Sequence, residues 1–202
     1  MPKQTFFNLE ESKRQAILDE AVREFAKQPF EQASLTKIVE NCGIAKGSMY
    51  QYFEDKRDLY LYIVDLAYEE KRNYLRKAFE TGGDIFEVLE EYYRQSYQFA
   101  QEHPLFHQVA NKFWDSKAEA LSGELEKGRL NRAKDFEQFL SQAMESGEVN
   151  ADLDPEAVFF VYHAVGKELI VHFDQGCDDR FWKQVLDVLK YGIAVREGDK
   201  SC

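Results

Sequence analysis

Apolar residues recur at helical intervals along nearly the whole chain, and little interrupts them. Ile17, Leu18, Ala21, Val22 and Phe25 fall at i, i+1, i+4, i+5 and i+8, the spacing of one apolar helix face. Only four prolines and eleven glycines break the 202 residues, and no alternating β-branched run is long enough to argue for a sheet. The fold expected is therefore all-α. Asn8 followed by Glu11 reads as a capping box that starts the first helix, which Pro29 ends. Ser34 caps a short second helix with Leu35, Ile38 and Val39 facing inward, and Asn41-Cys42-Gly43 breaks it. A third helix runs from about Lys46 to Phe53. Asp55, with Asp58 three residues on, caps a long fourth helix carrying Leu59, Ile63, Leu66, Ala67, Tyr74 and Ala78. Beyond Gly82-Gly83, helices are expected near 84–102, 104–114, 117–146, 155–174 and 179–196, with Pro104 and Pro155 at helix starts. The pattern describes a small N-terminal unit joined by a continuous helix to a larger bundle.

Charge divides the chain in the same way. The formal net charge is -11, yet residues 1–60 hold nine Lys/Arg against ten Asp/Glu, which leaves a net of −10 for the remainder. A polyanion meets the first sixty residues without strong repulsion and is held away from the rest. No apolar run approaches the roughly 20 residues a membrane span needs. The first residues, MPKQTFFNLEESKRQ, lack the apolar core of a signal peptide, so a cytoplasmic location is expected. Cys42, Cys177 and Cys202 are odd in number and form no CxxC, which argues against a disulfide framework or a zinc site. His103 and His107 have an i, i+4 spacing, but Pro104 puts His103 at or before the helix start, so no metal site is expected. Nucleophile elbow, P-loop, dinucleotide fingerprint and HExxH are all missing, and neither catalytic residues nor a cofactor are expected.

The stretch GIAKGSMYQYFEDK, residues 43–56, stands out in so acidic a chain. Two short helices joined by a tight turn containing Gly43 form a helix-turn-helix. Ile44 and Met49 pack back onto Leu35, Ile38 and Val39, and the third helix projects Lys46, Gly47, Ser48, Tyr50, Gln51 and Tyr52, a width that suits the B-DNA major groove. Lys46 is placed to pair with a phosphate or reach a guanine edge. Gly47 allows close backbone approach, Ser48 offers a small hydroxyl, and Gln51 suits a bidentate contact with adenine. Tyr50 and Tyr52 suit phosphate oxygens, and Lys56 is placed to clamp the DNA backbone. With Ser34, Thr36, Lys37 and Ala45 from the preceding helix and turn, these residues form the expected DNA-contacting set.

The stretch SKRQAILDEAVREFAKQPFEQASLTKIVENCGIAKGSMYQYFEDKRDLY resembles the N-terminal domain of the TetR/AcrR family of bacterial transcriptional regulators. The resemblance is carried by Arg14, Ile17, Leu18, Ala21, Phe25, Ser34, Ile38, Gly43, Ile44, Gly47, Tyr50, Tyr52, Phe53, Lys56 and Leu59, and covers about the first 65 residues. Pro29 and Ala45 depart from it, since glycine and a hydroxyl residue are usual there. Residues 1–56 are accordingly expected to be the DNA-binding domain, with the helix-turn-helix at about 34–53, and 57–202 a ligand-binding and dimerisation domain. The resemblance implies a homodimer that binds a pseudo-palindromic double-stranded operator and represses. A small molecule in the C-terminal domain would release it by changing the spacing of the two heads, with the fourth helix as the link. An interaction module of the same fold that no longer reads DNA is the alternative, kept by the near-neutral head and the missing hydroxyl at Ala45.

Further along, PEAVFFVYHAVGKELIVHF (155–173) is apolar almost all round, and FWKQVLDVLKYGI (181–193) carries an apolar stripe. The resemblance implies that the last two long helices pair with their copies in a four-helix dimer interface. Phe159, Val165, Gly166, Leu169, Trp182, Val185 and Leu189 are the expected contacts, Gly166 permitting close helix approach. Tyr93, Tyr97, Phe113, Trp114, Tyr162 and His163 are the candidate lining of an effector pocket, and nothing in them selects a ligand class.

Overall fold

The computed structural model describes residues 1–80, 82–174 and 179–193. Among them the regular elements are helical, in the order α1 (Gln4–Phe7), α2 (Glu11–Lys27), α3 (Leu35–Asn41), α4 (Lys46–Tyr52), α5 (Lys56–Glu80), α6 (Ile85–Glu102), α7 (Pro104–Trp114), a 3-10 turn (Glu119–Leu121), α8 (Ser122–Glu145), α9 (Pro155–Asp174) and α10 (Asp179–Ile193). The expected all-α architecture is what is observed. The expected continuation of the last helix to 196, with Cys177 and Cys202, lies outside the described residues. No helix of the described residues is long and apolar enough to cross a membrane.

The chain folds into two compact units. The first comprises Met1–Arg72 with Phe99–Glu126, the second Asn73–Gln98 with Lys127–Cys202. In the first unit, Ile17, Ala21 and Phe25 of α2, Ile38 and Val39 of α3, Met49 and Phe53 around α4, and Leu59, Tyr60 and Ile63 of α5 are buried in one core. Val109 and Phe113 of α7 close that core, so α7 belongs to the same unit as the helix-turn-helix. Burial at this density removes most of the apolar surface of three helices too short to be stable alone. The capping predicted for the long helix is present. The Asp55 carboxylate accepts the Asp58 N–H at 2.8 Å, while the Asp58 carboxylate accepts the Glu54 N–H at 3.1 Å.

The start of the chain differs from expectation. Asn8 does not cap α2: it ends a separate short helix, α1, and its carboxamide oxygen accepts from the Gln4 side chain. Glu10 takes the N-cap position of α2 without a side-chain bond. Phe6, fully buried on Phe53 at 4.9 Å, is what draws residues 4–7 into a helical turn.

In the second unit, Tyr93 of α6 lies at the centre. Its hydroxyl donates to the Tyr162 carbonyl at 2.7 Å, and its ring stacks on Tyr162 and meets Trp182 edge-on. Burial pushes the Tyr93 and Tyr162 phenols well above their ordinary pKa. Asp84 caps α6 by accepting the N–H groups of Phe86 and Glu87, and Lys190 of α10 reaches the same carboxylate at 3.2 Å.

Candidate nucleic-acid interface

The recognition surface begins with the turn between α3 and α4. Gly43 adopts a φ of 65°, a conformation a Cβ tolerates poorly, so the glycine is required by the backbone. Ser34 caps α3, its hydroxyl oxygen accepting the Lys37 N–H at 3.3 Å. The Ser34 N–H donates in turn to Glu24 of α2 at 3.1 Å, and the Lys37 ammonium pairs with the same carboxylate at 2.7 Å. Burial pushes the Glu24 carboxyl up, but the hydrogen bonds from Lys37 and Ser34 and the charges of Lys37 and Lys27 outweigh it, and its pKa is held below the ordinary value. One buried carboxylate thus fixes the start of α3 against α2. The sequence signal was a charge at an apolar-face position: Glu24 follows Ile17 and Ala21 at i+7 and i+3.

Helix α4 divides cleanly. Met49 faces the core, and Ile44 packs half-buried against it, as expected. Ala45, Lys46, Gly47, Tyr50 and Gln51 are exposed, Ser48 is half-buried, and nothing stands within 4 Å of where a Gly47 Cβ would sit. Ala45 provides no side-chain cap. Thr36 and Ser34 are half-buried on α3, beside the exposed but ion-paired Lys37.

Two expected contacts are placed elsewhere. The Tyr52 side chain is buried, 7% exposed, and its ring lies 6.3 Å from that of Phe6. The Lys56 ammonium donates to the carbonyls of Glu31 and Ala33, at 3.2 and 3.1 Å, and sits over the Phe30 ring. Lys56 ties the α2–α3 loop to the start of α5, because a cation at a helix start gains more from loop carbonyls than from the helix itself.

The remaining sets divide by unit. Phe113 and Trp114 belong to the first unit, Phe113 packing on Tyr60 and Tyr68. Tyr93, Tyr97, Tyr162 and His163 belong to the second, where Tyr93 and Tyr162 fill the core, Tyr97 is half-buried and His163 meets Phe159 edge-on. The expected dimer contacts turn inward. Leu169, Trp182 and Leu189 are buried in the second core, Val165 and Val185 pack half-buried against it, and Phe159 is half-buried. A Cβ on Gly166 would collide with the Tyr93 ring, so that glycine is explained by a neighbour within its own unit. Large apolar side chains face solvent from other positions: Phe160 and Val171 of α9, and Phe181, Val188 and Tyr191 of α10, Val188 at 73% and Tyr191 at 72%. No group of three or more His, Cys, Asp or Glu that could hold a metal ion occurs among the described residues.

Residues 17–63 match the family pattern of bacterial regulatory proteins, tetR family. A TetR family transcriptional regulator from Chloroflexus aurantiacus J-10-FL shares 31% identity with the chain over 97% of this chain and 100% of its own, with a TM-score of 0.80. The chain belongs to the TetR family of transcriptional regulators. Over 54 residues it is 41% identical to the HTH-type transcriptional regulator AcrR of Shigella flexneri, a match spanning 27% of this chain and 25% of that protein. The chain therefore aligns with about a quarter of that curated relative. The transcriptional regulator FadR of Bacillus subtilis, whose structure holds stearoyl-CoA, shares the fold at a TM-score of 0.70 and 21% identity, over 89% of this chain and 98% of its own.

Proposed function

We propose that this TetR-family chain is a ligand-responsive repressor, acting in the cytoplasm as a homodimer on a pseudo-palindromic DNA operator. The observation that carries the reading is the outward face of α4, where Lys46, Gly47, Tyr50 and Gln51 stand clear on a helix held by the Gly43 turn. Lys46 neutralises phosphate, Gly47 lets the backbone approach, Tyr50 bonds phosphate oxygen, and Gln51 and Ser48 read base edges. Ser34 and Thr36 at the start of α3 flank the same phosphates. Tyr52 and Lys56 serve the architecture instead, holding α4 and the α2–α3 loop in place.

Functionally, residues 1–56 act as the DNA-binding domain and 57–202 as the effector and dimerisation domain. The dimer forms through the outward apolar face of α9 and α10. Phe160 and Val171 stand three turns apart, and Phe181, Val188 and Tyr191 repeat at helical intervals, a stripe a soluble monomer has little reason to expose. The effector is a small molecule of a class the side chains do not select, and stearoyl-CoA is a reasonable first probe.

Selection of the full-length protein on random duplex DNA, followed by sequencing, tests the proposal. Enrichment of a motif with two inverted half-sites is expected, with affinity falling steeply as salt rises because each head neutralises several phosphates. A pool that stays random after the protein has been denatured and refolded free of bound ligand overturns it in favour of a module acting through protein partners.

A further inference from the structure

Helix α4 has seven residues, so its last four carbonyls, those of Met49, Tyr50, Gln51 and Tyr52, have no partner within the helix. Each is satisfied. The Phe53 N–H donates to Met49 at 2.9 Å. The other three donors come from the first residues of the chain: the Lys3 ammonium to Tyr50 at 2.9 Å, the Thr5 hydroxyl to Gln51, and the Lys3 N–H to Tyr52 at 2.8 Å. Phe6 anchors this segment, fully buried against Phe53 and Tyr62. The opposite end of α4 follows the Gly43 turn and begins at Ala45 with no side-chain cap, so the side-chain bonds that tie the helix ends come at its C-terminal end.

Resting on the reading of α4 as the DNA-reading helix, the geometry points to Lys3 and Thr5 as positioning residues that set the pitch and order of that helix from outside the helix-turn-helix. Neither faces the bases; both act through the carbonyls beneath Tyr50 and Gln51. A helix this short frays unless its ends are tied. Fraying would move Gln51 and Ser48 away from the base edges while leaving the phosphate-facing cations in place. Loss of the clamp therefore erodes sequence discrimination and spares non-specific attraction.

The test pairs Lys3→Met with Thr5→Val in the full chain, changes that keep side-chain bulk and remove the two side-chain donors. Amide hydrogen exchange is read first, and faster exchange confined to residues 49–53 is expected; unchanged exchange overturns the clamp whether or not the protein binds DNA. Binding is then compared on the selected operator and on a scrambled duplex at one salt concentration. Operator affinity is expected to fall about tenfold, the loss of two ordinary hydrogen bonds, with scrambled-duplex affinity unchanged. Lys3→Arg with Thr5→Ser is expected to restore the ratio. Equal loss on both duplexes with a salt slope reduced by about one makes Lys3 a phosphate contact and overturns the inference. A lower melting temperature with an unaltered ratio reduces the segment to a structural support and also overturns it. A wild-type protein that prefers no duplex defeats the repressor reading, and the exchange measurement still judges the clamp.

Discussion

Glycines 47 and 166 both interrupt helices expected to meet a partner, and the structure gives them opposite reasons. Around Gly47 on α4 there is open space, and the residue faces outward. Gly166 on α9 lies under the Tyr93 ring, its smallness required from inside the unit. The first belongs to a surface, the second to a core. What separates them is the hydrophobicity of the host helix: α4 has one apolar face, whereas α9 is apolar almost all round, and its sequence does not say which side is inward.

The contrast can be broken most forcefully at Gly166. Gly166→Val forces atoms into the Tyr93 ring and is expected to cost about 3 kcal/mol, the scale of overpacking in a tight core, measured by thermal unfolding of the second unit. If the variant kept its melting temperature and only associated more weakly, Gly166 would be an interface residue after all. Next comes the outward stripe. Val188→Glu with Tyr191→Glu is expected to leave the fold intact and weaken self-association by about 2–4 kcal/mol, read by sedimentation, whereas Leu189→Glu is expected to unfold the unit. A dimer indifferent to both outward changes would place its interface elsewhere.

In the head, Lys56→Met should cost about 1–2 kcal/mol of stability by orphaning the Glu31 and Ala33 carbonyls, and leave the salt dependence of DNA binding unchanged. Lys46→Ala should do the reverse, lowering the salt slope by about one at constant melting temperature. Gly47→Ala sharpens the comparison of glycines: better helix propensity is expected to stabilise the head by about 0.5–1 kcal/mol while operator affinity falls, because a Cβ keeps the backbone off the DNA. The smallest effect concerns acid. The Glu24 pKa is depressed in the folded state, so its contribution is present above the ordinary 4.5 and is lost as pH falls through the lower folded value. Glu24→Gln is expected to flatten that acid limb in pH-dependent unfolding of the first unit.

Helix existence was legible because its signals are local. The Asp55/Asp58 cap, the Ser34 cap, Pro104 and the Gly43 turn each act within a few residues, and each appears where the sequence put it. The exposed face of α4 was legible too, since Met49 and Ile44 mark its inner side. The rest depended on partners distant in sequence. Nothing in Lys3 or Thr5 announces that they meet carbonyls more than forty residues on. Lys56 looked like a DNA clamp because its neighbours in the chain do not include the Glu31 and Ala33 carbonyls. Tyr52 looked outward until Phe6 gave it something to pack on. For α9 and α10 the residues expected to meet a copy proved to lie inward, since a stripe such as Val185 and Leu189 reads the same whether it meets its own core or a copy.

The seat of the Tyr93 ring on Gly166 also constrains how this chain can diverge. A lineage that replaces the glycine first carries a crowded unit until the ring shrinks. One that shrinks the ring first carries a void and loses the bond from the ring hydroxyl to the Tyr162 carbonyl. Both orders pass through a less stable ancestor, so the two positions should drift together or stay fixed, and a comparison of descendants should show them as a coupled pair.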